Sequence, residues 1–97
     1  MQIFSDKKNI PDQLRFMRRC GYGLHTGGRE RSYVRRFGRD LYPRFHAYVE
    51  DRGEKVVINL HLDQRAPVYR GVTAHSGEYD GEVVESEADR IKGYLGK

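Results

Sequence analysis

The sequence predicts an α+β domain of order α-β-β-β-α, a three-stranded antiparallel sheet with two helices packed on one face. Three observations predict it. Phe45, Ala47 and Val49 alternate along one segment, and Val56, Ile58, Leu60 and Leu62 alternate along the next, the period of half-buried strands. Apolar residues at helical spacing flank this region, with Ile10, Leu14 and Met17 before it and Val84, Ala88, Ile91 and Leu95 after it. A length of 97 residues supports one core and not two, so residues 1–97 read as a single domain.

The first helix is expected over Pro11–Cys20. Asn9 serves as its cap, Pro11 and Asp12 suit its first turn, and Gly21 and Gly23 stop it. Residues 24–30 read as a flexible loop. The first strand spans Arg31–Phe37, the second Tyr42–Glu50 and the third Lys55–Asp63. A tight turn at Arg52-Gly53 would pair Val49 with Val56, Ala47 with Ile58 and Phe45 with Leu60. A turn around Arg39-Asp40 would pair Val34 with Phe45. The stretch Gln64–Asp80 shows no periodicity and reads as a long loop. The last helix is expected over Glu82–Leu95, capped by Asp80, with Glu82, Glu85 and Glu87 complementing its dipole.

Charge is unevenly distributed. Residues 1–50 carry eleven Lys and Arg against five Asp and Glu, while residues 51–97 carry seven against nine. Between Arg15 and Arg44 all nine cations are Arg, opposed only by Glu30 and Asp40. Guanidinium groups grip phosphate bidentately and stack on bases, so this block points to a polyanionic partner. The chain holds no apolar run long enough to span a membrane. The first six residues lack the pattern of a signal peptide, and the single Cys20 fits a reducing compartment, so a cytoplasmic location is expected.

The expected register leaves one sheet face to Tyr33, Arg35 and Phe37, to Tyr42, Arg44, His46 and Tyr48, and to Val57, Asn59, His61 and Asp63. It sets Tyr33 beside His46 and Arg35 beside Arg44. Rings interleaved with Arg and His offer stacking platforms and phosphate contacts for unpaired bases. The same residues also suit cross-strand packing or a protein interface. His46 and His61 are diagonal neighbours there, with Asp63 one step beyond, and His beside Arg suits a phosphoryl transition state. His75, Glu78 and Asp80 form a second group of metal-ligating types, without diagnostic spacing. Walker A, GxGxxG, GxSxG and CxxC motifs are all missing.

The element order, led by the basic segment Arg15–Arg44, resembles double-stranded RNA-binding domains and the related HicA-type mRNA-interferase toxins. The resemblance covers most of the chain as topology, and implies an α+β fold with an RNA partner. In the interferases a Gly-Ser-His run places the catalytic His at the start of the sheet. The comparable stretch here reads Gly28-Arg29-Glu30-Arg31-Ser32-Tyr33, so the resemblance assigns no catalytic residue. Its last helix begins with Glu82 and Glu85, where the RNA-binding domains carry Lys.

The leading expectation is a nucleic-acid-binding module, for RNA before DNA, using Arg15, Arg18, Arg19, Tyr33, Arg35, Tyr42, Arg44 and Tyr48. No cofactor and no metal are expected. No motif fixes a reaction; if the chain is an enzyme, the expectation is a nuclease with His46 and His61 near the chemistry. A third alternative is a protein-interaction subunit whose basic half docks on an acidic partner.

Overall fold

A computed structural model describes residues 1–64 and 76–96. The class is α+β, but the sheet has five antiparallel strands where three were expected. In chain order the elements are β1 (Gln2–Asp6), a 3₁₀ turn (Lys7–Asn9), α1 (Gln13–Arg19), β2 (Gly23–His25), β3 (Ser32–Arg36), β4 (Arg44–Asp51), β5 (Lys55–Asp63) and α2 (Ser76–Lys92). The spatial order is β1-β5-β4-β3-β2, so β5 is an interior strand.

The two extra strands are those with the weakest local signals. In β1 the inward residues are Ile3 and Ser5 and the outward Phe4 is 60% exposed, so no apolar alternation marks it. It forms because β5 offers an edge, with Gln2 opposite Asn59 and Ser5 opposite Val56. Lys55 pairs with Asp6 across this junction, and Lys7, just after β1, pairs with Asp51 at the end of β4. β2 has three residues, one of them glycine, within the stretch expected as a helix stop and loop.

α1 is shorter than expected. Asp12, not Asn9, caps it, its Oδ1 accepting from the Arg15 N–H at 3.2 Å. Asn9 instead donates to Ser5 Oγ. Its end follows the expected signal. Gly21 sits at φ +95°, and the N–H groups of Gly21 and Tyr22 donate to the carbonyls of Arg18 and Met17, both at 2.9 Å.

The β4–β5 hairpin turns one residue later than expected. Gly53, at φ +89°, takes the first central position of a two-residue turn, and Arg52 N–H donates to Lys55 O. The expected turn would have put Arg52 at that positive φ, which a side chain resists and glycine does not. The pairs become Val49 with Ile58, Ala47 with Leu60 and Phe45 with Leu62. A shift of two residues keeps every side chain on its expected face.

The β3–β4 pairing differs by one, which reverses β3. Tyr33 lies opposite Ala47, Val34 opposite His46, Arg35 opposite Phe45 and Arg36 opposite Arg44. Tyr33 is therefore fully buried on the helix-covered face, where its hydroxyl donates to Gln13 Oε1 at 2.8 Å. An inward Tyr removes more apolar surface from water than an inward Val, and Gln13 satisfies its polar end. Phe37 turns to the same side and packs on Phe45, with ring centroids 4.8 Å apart.

Both helices cover one face, as expected. Phe16 and Met17 of α1 and Val84, Ala88 and Ile91 of α2 share a core with Ile3, Tyr33, Phe45, Ala47, Val56, Ile58 and Leu60. α2 begins at Ser76, so Asp80 lies inside it and does not cap it. The apolar stripe begins only at Val83 and Val84, and earlier residues carry no periodic signal. Of the expected loop Gln64–Asp80, residues 65–75 lie outside the described residues. Glu87, expected as a dipole partner, is a buried ion-pair centre. It accepts from Tyr22 Oη at 2.6 Å and from Arg90 Nε at 2.9 Å, and lies 3.5 Å from Arg35 Nη1. Arg90 also donates to the Cys20 carbonyl, so one guanidinium ties α2 to the end of α1.

Candidate functional site

The described helices pack on one face of the sheet, and none of them covers the other, although Val57 and Ser32 are buried on it. Counting from one edge, β2 brings His25, β3 brings Ser32, Val34 and Arg36, β4 brings Arg44, His46, Tyr48 and Glu50, and β5 brings Val57, Asn59, His61 and Asp63. The rings form a connected group at its centre. Tyr48 stacks on His46 with centroids 4.7 Å apart, while His25 meets His46 edge-on at 5.6 Å. His61, exposed, lies directly opposite His46 and meets Tyr48 at 6.1 Å.

His46 is held at both nitrogens. Its Nδ1 is 2.7 Å from Asp63 Oδ2, and its Nε2 is 2.7 Å from Ser32 Oγ. A carboxylate can only accept, so Nδ1 carries a hydrogen, and in the neutral ring Nε2 is then the nearer acceptor for the Ser32 hydroxyl, whose other acceptor, the His25 carbonyl, is 3.5 Å away. Arg44 Nε donates to the same Asp63 oxygen at 3.2 Å, and its guanidinium lies 4.5 Å above the Tyr42 ring. Ser32, His46 and Asp63 come from three adjacent strands, and the ladder fixes their spacing. Ser32 is 1% exposed, and its partner across the β2–β3 pair is His25.

The structure divides the expected nucleic-acid-binding residues among three places. Tyr42, Arg44 and Tyr48 share the open face with His46 and His61. Tyr33 and Arg35 do not, because β3 is reversed; Tyr33 is in the core and Arg35 faces Glu87. The expected neighbour of Arg44, Arg35, is replaced by Arg36, which is exposed. Arg15, Arg18 and Arg19 are exposed on α1, on the opposite side of the sheet from His46.

Two members of the central group carried little signal in the sequence. Ser32 stood one residue inside an expected strand, on the side assigned to the core, and His25 stood in an expected loop. Asp63 was legible from its alternation with His61. Cys20 is buried, and that burial pushes its thiol up to about 11, so it stays protonated and unreactive near neutral pH. Among the described residues, no three His, Cys, Asp or Glu side chains are placed to hold a metal ion. His75, and with it the expected group of His75, Glu78 and Asp80, lies outside the described residues. No described helix is long and apolar enough to cross a membrane. Comparison with family models, curated proteins and solved structures finds no match to this chain.

Proposed function

We propose that the chain binds a polyanion, single-stranded RNA before DNA, on the open face of its sheet. One observation carries this reading: Arg36 and Arg44 stand directly opposite each other on that face, beside the Tyr48–His46 stack. Like charges at paired positions cost stability. Asp63 neutralises Arg44, while among the described residues no acid pairs with Arg36. A phosphate placed between the two guanidinium groups would relieve that cost, and the adjacent rings would stack an unpaired base. The helix-side cations Arg15, Arg18 and Arg19 are too far round the molecule to touch the same short strand. They contribute through the overall positive field.

The test is a fluorescence anisotropy titration with a short labelled RNA, single-stranded DNA and a duplex at several salt concentrations. Replacing Arg36 and Arg44 together by Ala is expected to weaken RNA binding more than about tenfold, or about 1.4 kcal/mol. The slope of affinity against salt should flatten by up to roughly two units, one for each lost phosphate contact. Arg35→Ala, one residue away but on the other face, is expected to leave binding intact. Wild-type protein that binds none of the three below about 100 µM at low salt, where non-specific binders associate, would sink this reading in favour of an acidic protein partner.

A further inference from the structure

The hydrogen-bonded order Ser32–His46–Asp63 has a chemical consequence that anion binding does not use. We propose that Ser32 is a nucleophile activated by His46 and Asp63, and that it forms an acyl-enzyme with carboxylic esters. The proposal rests on this geometry and stands independently of the polyanion reading.

The arrangement meets the general requirement for an activated hydroxyl, a base within hydrogen-bond reach of the nucleophile and a third group orienting the base. Both contacts are 2.7 Å. The Asp63 carboxylate fixes the tautomer in which Nε2 is free to accept, and Arg44 holds that carboxylate in place. Arg44 is thus a positioning residue, while Ser32 and His46 are the reacting groups.

In the forward step the Ser32 oxygen attacks the ester carbonyl carbon while its proton passes to His46 Nε2. The imidazolium formed is stabilised by Asp63. The carbon–oxygen bond to the leaving alcohol then breaks, and the alcohol takes the proton from Nε2. Water repeats the sequence on the acyl-serine, releasing the acid and restoring the Ser32 hydroxyl. No oxidant, reductant or further co-reactant enters.

Two features of the fold set what should be observed. Residues 32–34 of β3 pair with β2 and residues 33–36 pair with β4, so few of its backbone N–H groups are left to support the oxyanion and side chains must supply most of that support. Turnover is therefore expected to be slow, and covalent capture is the sensitive readout. Ser32 is also closed over, 1% exposed, with His25 as its neighbour on a three-residue edge strand followed by exposed residues 26–31. A short edge strand opens at low free-energy cost, and this one is the natural route of access.

The experiment is labelling of the full chain with a fluorophosphonate probe, with the adduct located by peptide mass spectrometry and each variant's fold checked by its thermal midpoint. Wild-type protein should carry the adduct on Ser32, and Ser32→Ala should carry none. His46→Ala should label at least about a hundredfold more slowly, the usual contribution of a general base. Asp63→Asn should also slow labelling more than about tenfold, because an amide can donate to Nδ1 and turn Nε2 into a donor. His25→Ala should label faster than wild type. If neither wild type nor His25→Ala is modified at Ser32, or if folded His46→Ala labels as fast as wild type, the proposal is overturned.

Discussion

Replacing Glu87 by Ala is expected to lower stability by about 3 kcal/mol, measured as the shift in urea-denaturation free energy. Glu87 is 5% exposed and collects hydrogen bonds from Tyr22 and Arg90, with Arg35 beside it. Truncation strands a buried phenol and two cations that shared one carboxylate. The estimate sits at the low end for a broken buried pair because the Arg90 and Arg35 side chains keep 33% and 36% of their surface exposed. In a domain of this size each lost kcal/mol lowers the thermal midpoint by roughly 4–8 °C. A loss under about 1 kcal/mol, the range of exposed ion pairs, would show that the network is a surface decoration.

The same group makes stability depend on acidity. Burial by itself would raise the Glu87 carboxyl, but hydrogen bonds from Arg90 and Tyr22 and the charges of Arg90 and Arg35 outweigh it and hold the group below its ordinary 4.5. A carboxyl whose folded value is depressed contributes stability that is fully present above the unfolded value, and that contribution is lost as pH falls through the folded one. Urea midpoints should therefore be flat above about pH 5.5 for this group and fall as the pH drops below its ordinary range. Glu87→Gln, which cannot ionise, should show a shallower acid limb. Asp6 and Asp51 are also depressed, by hydrogen bonds from Lys55 and Lys7, but both are solvent-exposed and their part in the slope is minor. An acid limb of equal steepness in Glu87→Gln would assign the effect elsewhere.

Leu60→Ala is the second large effect expected, at roughly 2–5 kcal/mol. Leu60 is 1% exposed on β5, an interior strand covered by α2, and its cross-strand partner is Ala47. A second Ala beside the first would leave two small residues at the centre of the core, where a backbone laddered on both sides cannot collapse into the gap. The cost should therefore lie in the upper half of the range. The sheet register predicts a smaller penalty for Leu62→Ala, because Leu62 is only partly buried against that core. Equal costs at the two positions would contradict this packing.

The hairpin of β4 and β5 shows what the sequence could determine. Alternation assigned the inward set Phe45, Ala47, Val49, Val56, Ile58, Leu60 and Leu62 to one face, and the pairing error of two residues left that assignment intact. His46, Tyr48, His61 and Asp63 were therefore legible as open-face residues from parity alone. The end of α1 was legible too, because glycine at a positive φ is a local requirement. Helix order, a single core and the basic character of the first half follow from composition and period in the same way.

Tertiary structure decided the rest. β1 exists because β5 presents an unpaired edge 49 to 57 residues away, and no local pattern encodes that partner. β3 could be read with either face inward, since Tyr33 and Val34 are both apolar enough to be buried. The contest is settled by the larger area of the Tyr ring and by Gln13 as acceptor for its hydroxyl. That one-residue choice exchanges Arg35 for Arg36 beside Arg44. It also turns Ser32 outward to meet His46, so the candidate site depends on a packing decision made on the opposite side of the sheet. Side-chain parity is a property of the chain, whereas the pairing of distant strands is set by the free energy of the assembled core.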